Sequence, residues 1–121
     1  MYKFSKNSKT KLQTVNKKLQ DIFDEVIKYH DCSIICGIRT LEEQQKAFAS
    51  NCSKCDGIQK RSKHQDGLAV DVIPYPINWN DINSFYELAG CVKTIAKQKG
   101  INIRWGGDWK SFKDYPHWEL V

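Results

Sequence analysis

With 121 residues, 40% of them hydrophobic, and a formal charge of +5, the chain has material for one modest core and is too apolar for wholesale disorder. No run approaches the roughly 18 consecutive apolar residues that cross a bilayer. The basic start MYKFSKNSKTKLQ lacks the apolar stretch of a secretory signal, so synthesis in a cytosol and a single domain over residues 1–121 are the expectations.

From about Lys9 to Tyr29, Leu12, Val15, Leu19, Ile22, Phe23, Val26 and Ile27 recur at spacings of three and four, which predicts one amphipathic helix. His30 follows as a partner for its C-terminus. CSIICGIR (Cys32 to Arg39) is short, β-branched and apolar, as a buried strand is. Thr40 and Glu43 have capping-box spacing, which predicts a helix running to about Ser50. Asn51 to Gln65 is polar and aperiodic around Gly57, a long loop for so small a domain. LAVDVIPY reads as a strand halted by Pro74 and Pro76. Asp81 to Lys99 is a helix with Asp81 as cap and Gly100 as terminator. INIRW and HWELV read as two more strands. The mixture predicts an α+β domain, a small, mainly antiparallel sheet of about four strands packed with about three helices.

Five cysteines, at 32, 36, 52, 55 and 91, are an odd number, and without a signal a disulfide framework is disfavoured. Cys52 and Cys55 form a lone CxxC. Cys32 and Cys36, four apart on a strand, lie about 13 Å from each other and cannot complete a shared metal site. Free thiols are the simpler reading.

Two stretches carry the chemistry: SKHQDGLAVD (Ser62 to Asp71) and DYPHWELV (Asp114 to Val121). A catalytic zinc takes three protein ligands from imidazole and carboxylate and keeps a fourth position open. His64, Asp71 and His117 meet that count. Gly67 permits the turn into a strand on which Ala69 and Asp71 share a face, and His117 and Glu119 share a face of the last strand. Asp114, three residues before His117 and stiffened by Pro116, has the position of a general base. Arg39 offers positive charge to a developing oxyanion. Each has a duller reading: an Asp on a strand serves as a salt-bridge partner, and Glu119 serves as an edge-strand charge or as the acceptor that orients an imidazole.

SKHQDGLAVD resembles the SxHxxGxAxD signature of the zinc metallopeptidase family of D-alanyl-D-alanine carboxypeptidases, vancomycin-resistance dipeptidases and phage L-alanyl-D-glutamate endolysins, whose fold the Hedgehog signalling domain shares. All five specified positions match, at Ser62, His64, Gly67, Ala69 and Asp71. GIRTLEEQ resembles the family's GxRSxxEQ segment and DYPHWELV its closing motif, nearest to the phage endolysin branch. The resemblance implies a Hedgehog/DD-peptidase-like fold, Zn²⁺ on His64, Asp71 and His117, Asp114 as base, Arg39 on the substrate carbonyl or its oxyanion, and substrate contacts from Ser62 and Gln44. It implies an endopeptidase that cuts the L-alanyl-D-glutamate bond of the peptidoglycan stem peptide for host lysis. The chain itself is expected to be a monomer without a separate wall-binding domain, made in the host cytoplasm and released through a holin-type pore. Asp114 departs from the Glu of many relatives, and the cysteine-bearing loop from Asn51 to Lys60 is outside the family pattern.

Three alternatives stay open on sequence: a D,D-carboxypeptidase or dipeptidase of the same fold, a zinc-containing binding module without catalysis, and a basic nucleic-acid-binding or CxxC redox protein. The basic surface is further expected to give loose, salt-sensitive adhesion to acidic wall polymers.

Overall fold

A computed structural model describes residues 1–51 and 53–121, so the Cys52 half of the CxxC lies outside the described residues. In chain order the elements are α1 (Lys6–Leu12), α2 (Lys17–Val26), β1 (Cys32–Cys36), α3 (Leu41–Ala49), a 3₁₀ turn (Lys63–Asp66), β2 (Ala69–Pro74), α4 (Ile82–Lys99), β3 (Ile103–Trp105), a second 3₁₀ turn (Gly106–Asp108) and β4 (His117–Leu120). The four strands form one fully antiparallel sheet in the order β1-β2-β4-β3. The α+β expectation holds, with four α-helices among the described residues where about three were predicted.

The extra helix comes from the first apolar stripe, which breaks after Leu12. Tertiary hydrogen bonds compete there with a continuous helix: the Asn16 amide donates to the Gly67 carbonyl (2.8 Å), and Thr14 Oγ1 accepts from the Ile38 amide (2.9 Å). Asn16 then caps α2 by accepting from the Lys18 amide. Leu19, Ile22, Phe23 and Val26 are buried as the periodicity requires. The His30 amide donates to the Val26 carbonyl at the end of α2 (2.9 Å), while its ring Nδ1 lies 3.1 Å from the Asp31 carbonyl.

The capping box of α3 forms as predicted, with Thr40 Oγ1 accepting from the Glu43 amide and the Glu43 carboxylate accepting from the Thr40 amide. Asp81 caps α4, and Gly100 ends it in the left-handed region at φ 69°. β1 is shorter than CSIICGIR. At Gly37 the chain leaves the sheet so close to α1 that a Cβ would sit 2.3 Å from the Lys11 carbonyl oxygen. The long loop ends in a 3₁₀ turn that begins at Lys63, two residues before the predicted limit, because Ser62 and Gln65 form a second capping box.

One sheet face is core. Trp118 stacks on Trp105 at 5.7 Å and meets the edge of Phe23, while Val70, Val72 and Ile34 are buried beside them. β4 alternates, so His117 and Glu119 point to the opposite face. Register completes the placement: Asp71 stands opposite His117, and Ala69 opposite Glu119. A bulge between Ile34 and Cys36 shifts β1 so that Cys36 also falls opposite Asp71. No helix among the described residues is long and apolar enough to cross a membrane.

Candidate active site

On the polar face of the sheet, three donor atoms converge from three elements. His64 Nε2 lies 3.2 Å from Asp71 Oδ1 and 3.2 Å from His117 Nδ1, and His117 Nδ1 lies 3.4 Å from Asp71 Oδ1. A tetrahedral ion with bonds of about 2.0–2.1 Å holds its ligand atoms about 3.3–3.4 Å apart. The triangle fits that edge length.

The outer nitrogens fix which atoms face inward. His64 Nδ1 lies 3.1 Å from the Gly37 carbonyl, and His117 Nε2 lies 2.8 Å from Glu119 Oε1. Both partners only accept, so these outer nitrogens carry protons, and His64 Nε2 and His117 Nδ1 are the atoms that would offer lone pairs to the centre once deprotonated. Asp71 Oδ1 is a buried oxygen with no hydrogen bond among the described residues. A buried carboxylate oxygen without a donor is costly unless a cation meets it. The donor set, spacing and orphaned oxygen together fit a divalent metal.

The charges agree. Burial works against protonation of His64, but Asp71 and Cys36 outweigh it and push the imidazole up to about 10; His117 is raised in the same way by Asp71 and Glu119. Asp71, despite burial, is held well below the usual carboxylate range by the two imidazoles. Asp114 behaves oppositely. Burial, reinforced by the Asp71 charge, pushes its carboxyl up to about 6. Its Oδ2 lies 3.9 Å from His117 Nδ1, beside the triangle.

Local sequence explains these positions. Ser62 starts the turn that carries His64, its Oγ accepting from the His64 amide (3.2 Å), and Gly67 closes the turn at φ 69°. The Arg39 amide donates to the His64 carbonyl (2.8 Å). Gly106 lets the Asp114 segment approach, since a Cβ there would lie 2.3 Å from the Asp114 carbonyl oxygen. The Asp114 amide donates to the Gly106 carbonyl, and the His117 amide to the Asp114 carbonyl, each at 3.1 Å.

A cleft of about 440 Å³ opens over the triangle and includes Arg39, Ser62 and Asp114 in its lining. Ser62 is buried, and its hydroxyl is engaged in capping. Gln44 departs from the predicted substrate contact: it is fully buried and absent from the cleft lining. Its Oε1 accepts from Arg39 Nη1 (2.7 Å), and its Nε2 donates to Ser53 Oγ (2.8 Å) and the Cys55 carbonyl (2.6 Å). With both ends of its amide engaged inside the protein, Gln44 ties Arg39 to the loop instead. Three neighbours escaped the sequence reading. Cys36 Sγ lies 3.8 Å from His64 Nδ1, Trp109 packs on the His117 ring at 5.1 Å, and Lys54 Nζ sits over the Phe112 ring at 5.0 Å. Only the bulge brings Cys36 there, and no motif marks the other two.

Comparison with known proteins matches residues 1–120 to the family described as phage L-alanyl-D-glutamate peptidase. The chain belongs to that family. It is 34% identical over 119 residues to the L-alanyl-D-glutamate peptidase of Escherichia phage T5, covering 94% of this chain and 86% of the relative. It is 31% identical to the Bacillus subtilis peptidoglycan L-alanyl-D-glutamate endopeptidase CwlK, covering 75% of this chain and 61% of that one. Among solved structures, the Serratia marcescens L-Ala D-Glu endopeptidase ChiX superposes with a TM-score of 0.86 at 29% identity, over 98% of this chain and 89% of that one. The vancomycin-resistance D,D-dipeptidase VanXYg shares the fold, at TM-score 0.52 and 21% identity, over 87% of this chain and 48% of that one. The family is one of peptidases, and the fold is the predicted Hedgehog/DD-peptidase type.

Proposed function

We propose that this chain is a zinc-dependent endopeptidase that hydrolyses the L-alanyl-D-glutamate bond of the peptidoglycan stem peptide. The observation that carries the reading is the triangle of His64 Nε2, Asp71 Oδ1 and His117 Nδ1 with edges of 3.2–3.4 Å and Asp114 beside it. Family membership supplies the bond.

In this reading the three triangle atoms would hold Zn²⁺, which when bound would supply Lewis acidity toward a water and the scissile carbonyl. Asp114 takes the proton from the attacking water and returns it to the leaving amine; a carboxyl raised to about 6 is closer in basicity to working pH than an ordinary aspartate. Arg39, fixed by Gln44, sets its guanidinium on the cleft wall to stabilise the oxyanion. Glu119 orients His117 through Nε2. Residues 1–121 act as one catalytic unit and a monomer, in phage lysis after release through a holin-type pore; the phage origin of the relative from Escherichia phage T5 supports that setting.

The test is digestion of purified peptidoglycan followed by mass spectrometry. New N-terminal D-glutamyl ends are expected, and released D-alanine with no such ends would refute the assignment. His64→Ala and Asp114→Asn should abolish the products, and a chelator should do so reversibly.

A further inference from the structure

The cleft is unevenly charged. Arg39, Lys54, Lys60, Arg61, Lys63 and Arg104 all line it, against only three carboxylates, Asp71, Asp114 and Glu119. Most of the cations are already engaged. Arg39 is held by Gln44 and lies 3.7 Å from Asp71, Arg61 pairs with Asp66 at 2.7 Å, and Lys63 and Arg104 share Glu119 at 3.3 and 3.8 Å. Lys54 and Lys60 differ, having no carboxylate within ion-pairing distance among the described residues.

Their backbones are nonetheless held. The residues on either side of Lys54 are the two that the buried Gln44 amide grips, through Ser53 Oγ and the Cys55 carbonyl. Lys60 ends a tight turn in which the Asp56 carboxylate accepts from the amides of Ile58, Gln59 and Lys60 at 2.9–3.0 Å. The Gly57 amide closes that turn on the Lys60 carbonyl (3.1 Å), and Gln65 anchors it through the Gly57 carbonyl (3.1 Å). Two ammonium groups without an internal counter-charge thus stand at the cleft on anchored backbone. Positive charge focused in a cleft selects anionic ligands.

We propose that Lys54 and Lys60 form a subsite for the free carboxylate of the residue on the amine side of the scissile bond. The inference deepens the reading above and rests on it. The amino group of a D-glutamyl residue lies in the bond that breaks, and the peptide continues through only one of its two carboxyls. The other is ionised at neutral pH unless amidated. The subsite makes the enzyme selective for stems with a free carboxylate there over stems with a carboxamide.

The experiment uses two synthetic peptides that differ only in that group, each with L-alanine before the scissile bond and the chain continued beyond the glutamyl residue. Wild-type kcat/KM should be about tenfold or more higher on the carboxylate peptide, as loss of a charge-assisted contact implies. Raising the salt from about 0.05 to about 0.5 M should narrow the ratio, because exposed charges are screened. The double substitution Lys54→Gln and Lys60→Gln should bring the ratio to within about twofold. Lys97→Gln, which removes one charge from exposed α4 surface outside the cleft, should preserve it. Equal wild-type cleavage of both peptides overturns the subsite and leaves the peptidase reading standing. A preference that survives the double substitution overturns the assignment to these lysines. Cleavage of neither peptide strikes the peptidase reading itself, and the subsite falls with it.

Discussion

Replacing Asp114 by Asn should abolish activity and, in metal-free protein, raise stability in a pH-dependent way. Asp114 titrates near 6 in the fold because burial, then the Asp71 charge, disfavour its ionised form; in the unfolded chain an aspartate titrates near 3.9. Between about pH 4 and 6 the folded protein therefore holds a proton that the unfolded chain has released, and stability falls as pH rises. Above pH 6 the penalty is constant. Two pKa units correspond to about 3 kcal/mol, and with the side chain 28% exposed about 2 kcal/mol is the working figure. Asn imitates the neutral form and never meets the penalty. Urea denaturation in chelator, followed by tryptophan fluorescence, should show Asp114→Asn about 2 kcal/mol more stable than wild type at pH 7 and nearly equal to it at pH 4. Peptide hydrolysis by the zinc-loaded variant should fall by about a hundredfold or more. A stability difference that is the same at both pH values, or of opposite sign at pH 7, would refute the burial argument.

Other outcomes follow from the same geometry. Glu119→Gln and Glu119→Ala should weaken zinc binding by about ten- to a hundredfold in chelator competition, because His117 loses its orienting carboxylate. Zinc affinity should rise with pH: His64, raised to about 10, must shed a proton to become a ligand, and calorimetry in buffers of different ionisation enthalpy should detect its release. Gln44→Leu strands Arg39 Nη1 and the Cys55 carbonyl. The expected cost is about 1–3 kcal/mol in stability, together with a fall in kcat larger than any rise in KM as Arg39 loses its place. Gly106→Ala should displace the Asp114 segment and lower kcat, with zinc affinity close to wild type.

Much of the site was legible because its residues lie in short local patterns. Ser62, His64, Gly67 and Asp71 fall within ten residues, and the turn that Ser62 opens and Gly67 closes is local chemistry. Strand alternation likewise set His117 and Glu119 on one face with Trp118 on the other. The same kind of reasoning found the Thr40 capping box and the Asp81 and Gly100 ends of α4. It failed where distant segments compete for the same groups. The stripe through Leu12 and Leu19 could not reveal that Asn16 would donate to the Gly67 carbonyl and Thr14 accept from the Ile38 amide, splitting the helix. Gln44 belonged to a recognised motif, yet only packing shows it turned inward onto Arg39, Ser53 and Cys55.

The sequence by itself determined the kinds of ligand, their order along the chain and the faces of the strands that carry them, since those depend on side-chain chemistry and a period of two. Tertiary structure alone decided that β2 and β4 adjoin with Asp71 opposite His117, and that a bulge brings Cys36 to the same point. It also decided that Gly37 and Glu119 select the inward nitrogen of each imidazole. Register and hydrogen-bond partners between segments up to 57 residues apart are properties of the packed whole, and no local pattern encodes them.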